Sequence, residues 1–172
     1  MSNLKRTINI IGFQAGWWAC VLGAQKGYPY IGSGVMALYL FVHLKYFKIN
    51  RFEIFFVILV GIFGTVLETI FLQSSFIKYK GITSQYIAPI WIIAMWLGFS
   101  ATLNHSLSWL DGKWLLAFLG GAIFGPLSYL AGIKFGAIAF EVSVFSIAVL
   151  SSVWGLAMPL LYFLNKKIVC VN

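Results

Sequence analysis

Glu68 stands alone in a largely apolar run from Ile54 to Leu72. Every other charged residue sits near the end of such a run. A carboxyl in that setting costs a few kcal/mol unless it is protonated, paired or reached by water, so it is a functional candidate by default. It has the chemistry of a general acid or base, or of a proton carrier. The plainer reading is a neutral acid hydrogen-bonded to a neighbouring helix as packing glue. Rise arithmetic puts it roughly 6 Å to the outer side of the midplane, with Ser128 and Tyr129 as its expected company.

A second polar group gathers toward the other face: Asn9, His43, Asn104 and His105. All four fall roughly 7–10 Å inward of the midplane. Ser100 and Ser108 flank Asn104 at helical spacing and make one polar stripe, while Asn104 and His105 point about 100° apart. Interhelical hydrogen bonding accounts for such residues at around 0.6 kcal/mol each, although four at one depth exceed what packing asks for. The two groups are separated by roughly 15 Å along the normal and read as two sites.

Other chemistries find little here. Two histidines on two helices raise bis-histidine haem ligation, but two lone imidazoles do not make a motif. With only two histidines and no nearby cysteine, no metal site is expected. Every lysine lies at a run end, so a retinal-type Schiff base has no anchor. Nucleotide loops, serine elbows and paired carboxylates are missing from the pattern. No cofactor is expected.

The elements that must hold these residues follow from composition. In 172 residues, 61% are hydrophobic and 9% charged, which excludes a soluble globular domain and a disordered chain. Crossing roughly 30 Å of hydrocarbon takes about 20 apolar residues in a helix. Six stretches qualify, near 7–24, 30–47, 53–77, 87–110, 114–132 and 137–163. The expected fold is all-α, a polytopic transmembrane bundle of six spans forming a single integral membrane domain. Long apolar runs without two-residue alternation argue against a barrel.

Lys and Arg near the run ends set orientation. With the N-terminus inside, Lys5, Arg6, Lys45, Lys48, Arg51, Lys113, Lys166 and Lys167 face the cytoplasm. Lys26, Lys78, Lys80 and Lys134 face out, so both termini are expected inside. The net charge of +8 forms no basic stripe, which rejects nucleic acid as a partner. Trp17-Trp18 in the first run, without a small-residue cleavage site, reads as a retained helix. Cys20 and Cys170 are expected on opposite sides of the membrane and cannot pair within one chain.

Gly12 with Gly16, and Gly121 with Gly125, let helices approach closely and would permit a homodimer. Pro126 suggests a kink in the fifth helix. Ile62-Phe63-Gly64 before Glu68 echoes Ile123-Phe124-Gly125 before Tyr129, a hint that helix pairs 3–4 and 5–6 are duplicated. Trp91, Trp109 and Trp114 include interface anchors, whereas Trp96 lies deeper.

Several stretches carry a resemblance. They are Asn9, Phe13 and Trp17 with Val21-Leu22-Gly23-Ala24; Gly64-Thr65-Val66-Leu67-Glu68; Ala88-Pro89-Ile90-Trp91 through Trp96; Ala101 to Leu110; Gly125-Pro126-Leu127-Ser128-Tyr129-Leu130-Ala131-Gly132; and Trp154 to Pro159. Together they resemble a small bacterial inner-membrane family catalogued only as a domain of unknown function. The resemblance spans nearly the whole chain. It implies a multi-helix, multi-pass protein of the bacterial cytoplasmic membrane. It also implies a link to membrane-lipid modification or envelope stress, through neighbours similar to cyclopropane-fatty-acid synthases. Where the family more often has Asp, this chain has Glu68, which keeps the acid and lengthens it.

Three functions fit these residues. The first is an accessory protein that binds a lipid-like ligand or membrane partner through Glu68, Ser128, Tyr129, Trp96, Asn104, His105, His43 and Asn9. The second is a lipid-modifying enzyme with Glu68 or His105 as acid/base. The third is a small proton-coupled transporter. The accessory reading is preferred, because no second group is placed to complete a mechanism.

Overall fold

The computed structural model describes residues 3–47 and 49–169. Lys48 and Cys170, used above for orientation and cysteine pairing, lie outside the described residues. Six helices form one bundle: α1 (Asn3–Gln25), α2 (Pro29–Phe47), α3 (Arg51–Gln73), α4 (Ile90–Leu103), α5 (Trp114–Lys134) and α6 (Val144–Ile168). Two short strands, β1 (Lys78–Tyr79) and β2 (Ile138–Ala139), pair antiparallel. The chain is all-α apart from this ladder.

α3, α5 and α6 are each long and apolar enough to cross a membrane. α4 is apolar too, but its 14 residues reach only about 21 Å. Along α3, Ile58, Ile62, Val66 and Ile70 form an exposed stripe four residues apart. Water penalises a continuous apolar face of this kind and hydrocarbon does not.

α1 packs on α2, α3 on α4 and α5 on α6, and α4 also lies against both α1 and α2. α4 is therefore central. Trp91, Ile92, Ala94, Trp96, Gly98, Ser100, Ala101, Thr102 and Leu103 are all buried around it, as expected of a helix apolar on every side.

Several boundaries depart from the sequence reading, three of them next to the polar groups. The fourth helix stops at Leu103 instead of running to Leu110. Ser100 and Thr102 hydroxyls bond back to the Leu97 and Phe99 carbonyls at 2.6 Å each, a habit that bends helices. His105 and Leu107 N–H then both turn to the Thr102 carbonyl. The polar stripe expected through Ser108 is broken with the helix. The third helix ends at Gln73 rather than near 77, and the sixth starts at Val144 rather than near 137. Ser143 fixes that start: its hydroxyl accepts from Ser146 N–H, while Ser146 accepts from Ser143 N–H. Of the residues so released, Ile138–Ala139 form β2, which pairs with β1 in the connection between α3 and α4.

α1 and α5 end in the same way. Gly27 and Gly136 take positive φ of 83° and 70°. Beyond them Tyr28 N–H reaches the Gly23 carbonyl and Ala137 N–H the Gly132 carbonyl, at 2.7 and 3.0 Å. These are Schellman closures, which need a residue tolerant of the left-handed region. α5 runs through buried Pro126 without interruption of its helix.

The suspected duplication is visible in three dimensions. In the first half, a Cβ on Gly64 of α3 would lie 1.9 Å from the Trp96 ring, and Trp96 Nε1 donates to Glu68, four residues on from Gly64. In the second half, a Cβ on Gly125 of α5 would lie 2.4 Å from Trp154, and Trp154 Nε1 donates to Tyr129, four residues on from Gly125. Each of these halves, α3–β1–α4 and α5–β2–α6, is a helix, a two-residue strand and a second helix, and α1 and α2 lie outside the repeat. Matching parts meet at β1–β2, at Trp96–Trp154 and at Glu68–Tyr129. This is the pattern of parallel repeats about an axis along the bundle.

Candidate functional site

Two polar clusters sit at opposite ends of the bundle. The far cluster, on the side of the β1–β2 ladder, is built around Glu68, which is 2% exposed. Its Oε1 accepts from Trp96 Nε1 at 3.1 Å and from the Tyr129 hydroxyl at 2.5 Å. Its Oε2 accepts from the Tyr79 hydroxyl at 2.5 Å. Trp154 Nε1 donates in turn to the Tyr129 oxygen at 3.4 Å. One carboxyl thereby joins α3, α4, α5 and β1. Three donors occupy most of the acceptor directions a carboxylate has.

Trp96 and Tyr129 are thus brought to Glu68, and Ser128 is not. The Ser128 hydroxyl bonds the Gly125 carbonyl of its own helix at 2.7 Å, because neighbouring helix positions point about 100° apart. Tyr79 was missed. It lies in a connection that reads as turn, and its inward direction follows only from strand alternation, Lys78 exposed and Tyr79 buried. Burial first, and then the Glu68 carboxylate beside it, hold the Tyr79 hydroxyl well above its ordinary range. It therefore stays a donor. Trp91 Nε1 supports this segment by donating to the Lys80 carbonyl at 2.9 Å.

The near cluster lies where α1 starts and α6 finishes. Asn9, fully buried, fills the break after α4: its Nδ2 donates to the Ala101 carbonyl at 3.1 Å and its Oδ1 accepts from Ser106 N–H at 3.2 Å. These are backbone groups that a helix break would otherwise orphan. Asn9 Nδ2 also donates to the Tyr39 hydroxyl at 2.9 Å and lies 3.4 Å from His43 Nδ1. Asn104 turns the other way and accepts from Asn165 Nδ2 at 2.6 Å, so it belongs to the α4–α6 contact and not with the histidines.

His43 and His105 meet edge to face, with ring centroids 4.6 Å apart. That contact leaves no slot for a porphyrin plane between them and removes the haem idea. Glu53 joins them: its Oε1 is 2.6 Å from His105 Nε2 and 3.9 Å from His43 Nε2. The sequence reading had placed Glu53 among the helix-end charges. Asn50-Arg51-Phe52-Glu53 looks like an ordinary start, and Asn50 does cap α3 by accepting from Glu53 N–H. The Glu53 side chain is left to reach across to α2 and the α4 break. His43, Glu53 and His105 offer one donor atom each, all within 4.8 Å of one another. They are the residues that could hold a metal, a third donor that the sequence reading did not find.

The four glycines read as a dimer face are covered from within the chain. Gly12 faces Tyr39, Gly16 faces Met36, and Gly121 and Gly125 face Trp154. A different open surface exists at the near end. A groove of about 430 Å³ runs between the start of α3 and the end of α6, lined by Arg51, Phe52, Phe55, Lys167 and Ile168.

No curated protein and no solved structure matches the chain. A family whose description is "Protein of unknown function (DUF2878)" matches residues 6–160, and with that span, from α1 into α6, the chain belongs to this family.

Proposed function

We propose that this is a multi-pass protein of the bacterial inner membrane, with six crossings and both termini in the cytoplasm. On this reading it acts as a non-catalytic accessory protein that binds an anionic membrane lipid. The observation that carries the lipid assignment is the near-end groove. Phe52, Phe55 and Ile168 give it apolar lining, and Arg51 and Lys167 line it with two cations, the combination that suits acyl chain and charged headgroup together. Lys166 adds to the positive charge at the end of α6. The excess of Lys and Arg at this end supports the cytoplasmic assignment.

The enclosure of Glu68 speaks against its use as acid/base or proton carrier. Its three donors come from three elements, and the carboxyl is spent on holding them. The interface between the two halves, where repeat-built transporters place their cargo, is filled by the Trp96–Trp154 stack.

The test is lipid retention by protein purified in mild detergent and reconstituted with phosphatidylglycerol or phosphatidylcholine. Native mass spectrometry should find the anionic lipid bound in preference. Arg51→Gln with Lys167→Gln should weaken it by about 30-fold, at about 1 kcal/mol per cation. Equal retention of both lipids by the unaltered protein overturns the reading. Reporter fusions at both ends test the topology, and a C-terminal reporter active outside the cytoplasm refutes it.

A further inference from the structure

We propose that His43, Glu53 and His105 form a binding site for a divalent transition-metal ion of the zinc class. The site joins α2, α3 and the turn after α4. This goes beyond the lipid reading and does not depend on it, since the groove uses Arg51, Phe52 and Phe55 while Glu53 reaches α2 and the α4 break.

Four observations carry the assignment. The first is the donor set. Two imidazoles and one carboxylate make a His2Glu triad, a set that holds zinc with one position left for water or another oxygen ligand. The second is spacing. Zinc–nitrogen and zinc–oxygen bonds near 2.0–2.2 Å in a tetrahedron put neighbouring donors roughly 3.3 Å apart. The Glu53 Oε1 distances of 2.6 Å to His105 Nε2 and 3.9 Å to His43 Nε2 bracket that value, and all three donor atoms lie within 4.8 Å of one another, so adjustments of up to about 1.5 Å complete the geometry. The third is His43 Nε2. His43 is 1% exposed, and this nitrogen, turned toward Glu53, has no hydrogen-bond partner among the described residues. The Glu53–His105 bond is complete without it, so a simple ion pair explains two of the three groups and leaves His43 Nε2 unaccounted for. The fourth is the surround. Phe47 stacks on His43 at 4.7 Å and meets His105 edge-on at 4.6 Å, an apolar cover of the kind that limits solvent access to a metal.

The surround also sets a cost. Coordination through His43 Nε2 puts the ring proton on Nδ1, next to Asn9 Nδ2 at 3.4 Å. The Asn9 amide must then turn its oxygen to that proton, releasing Ser106 N–H from its 3.2 Å bond and the Ala101 carbonyl from its 3.1 Å bond. Ion binding is therefore coupled to the backbone turn after α4. His105 is partly exposed, its side chain 12% accessible, and Glu53 beside it is buried at 11%, so the ion enters past His105.

The test uses the full chain in detergent, freed of tags and stripped with a chelator. Co2+ is titrated by visible absorption, and Zn2+ is followed by displacement of Co2+ and by melting temperature. One Co2+ per chain should bind with the d–d bands of a low-coordinate nitrogen/oxygen site, Zn2+ should abolish the bands, and Zn2+ should raise the melting temperature. His43→Ala, Glu53→Gln and His105→Gln should each weaken binding at least about tenfold, while Ser128→Ala leaves it unchanged. His105→Gln lies at the accessible edge and serves as the deciding variant where His43→Ala does not fold. Absence of Co2+ bands together with an unmoved melting temperature overturns the proposal. So does undiminished binding in a folded His43→Ala or His105→Gln protein.

Discussion

Trp96 and Trp154 lie face to face, their ring centroids 4.8 Å apart and their planes 15° from parallel. Each ring covers a glycine of the preceding helix, and each indole N–H reaches the side chain one turn beyond that glycine. The two halves of the bundle thus repeat one device, with a carboxylate in the first and a phenol in the second. Carboxylate and phenol then bond to each other. The exchange of chemistry at equivalent positions converts what would be two like groups facing each other into a donor and an acceptor.

Gly64→Ala and Gly125→Ala should both destabilise the protein by about 1–3 kcal/mol, because the added methyl overlaps a packed indole. An ordinary helical Gly→Ala exchange goes the other way by about 1 kcal/mol. Thermal melting in detergent checks the sign, and tryptophan emission reports displacement of the stack.

Glu68→Leu should cost about 3 kcal/mol or more, since it strands the Tyr79 and Tyr129 hydroxyls and the Trp96 N–H in a buried site. Glu68→Gln should cost about 1 kcal/mol, because its carbonyl still accepts and its amide can donate to the Tyr79 oxygen. A ranking with Gln as harmful as Leu would contradict the role assigned to this carboxyl. Chemical denaturation of both variants decides it.

Tyr79 gives a pH dependence. Its hydroxyl titrates higher in the folded protein than in the unfolded chain. The unfolded chain therefore loses this proton first as pH rises, so the contribution to stability is complete below the ordinary tyrosine value of about 10 and is lost above it. Tyr79→Phe should make the melting temperature less sensitive to pH between about 10 and 11. It should also cost about 1 kcal/mol at neutral pH and speed amide exchange in residues 74–89.

Asn9→Leu should be among the most damaging single changes, at about 2–4 kcal/mol, because it orphans the Ala101 carbonyl and Ser106 N–H at the α4 break. Asn9→Ser should recover only part of this. Hydrogen exchange at Ser106, which should be slow in the unaltered protein and fast in Asn9→Leu, is the local readout.

Much of this arrangement could be read before any coordinates, and the failures have specific causes. Depth arithmetic placed Glu68 with Tyr129, and Asn9 with His43 and His105, because rise along a helix is nearly independent of what the helix packs against. Ser128 was misplaced because depth says nothing of rotation: one step along α5 turns the side chain away. Glu53 was hidden by its double legibility, since an acid three residues after a capping asparagine already has a local explanation. Tyr79 was hidden because its inward direction is set by a two-residue ladder whose other strand lies about 60 positions away. The early end of α4 is completed by Asn9, a residue of another helix, and Ser100 and Thr102 alone announce a bend and not a stop.

The bond set around Glu68 also dictates an order of assembly. Tyr79 follows the acid by 11 positions and Trp96 by 28, but Tyr129 is 61 positions downstream. As the chain emerges from the ribosome, the first half can furnish two donors of its own, whereas the third waits until α5 has been made and docked. The final seal is therefore a late biosynthetic event, and a nascent chain halted between α4 and α5 carries an incompletely satisfied acid.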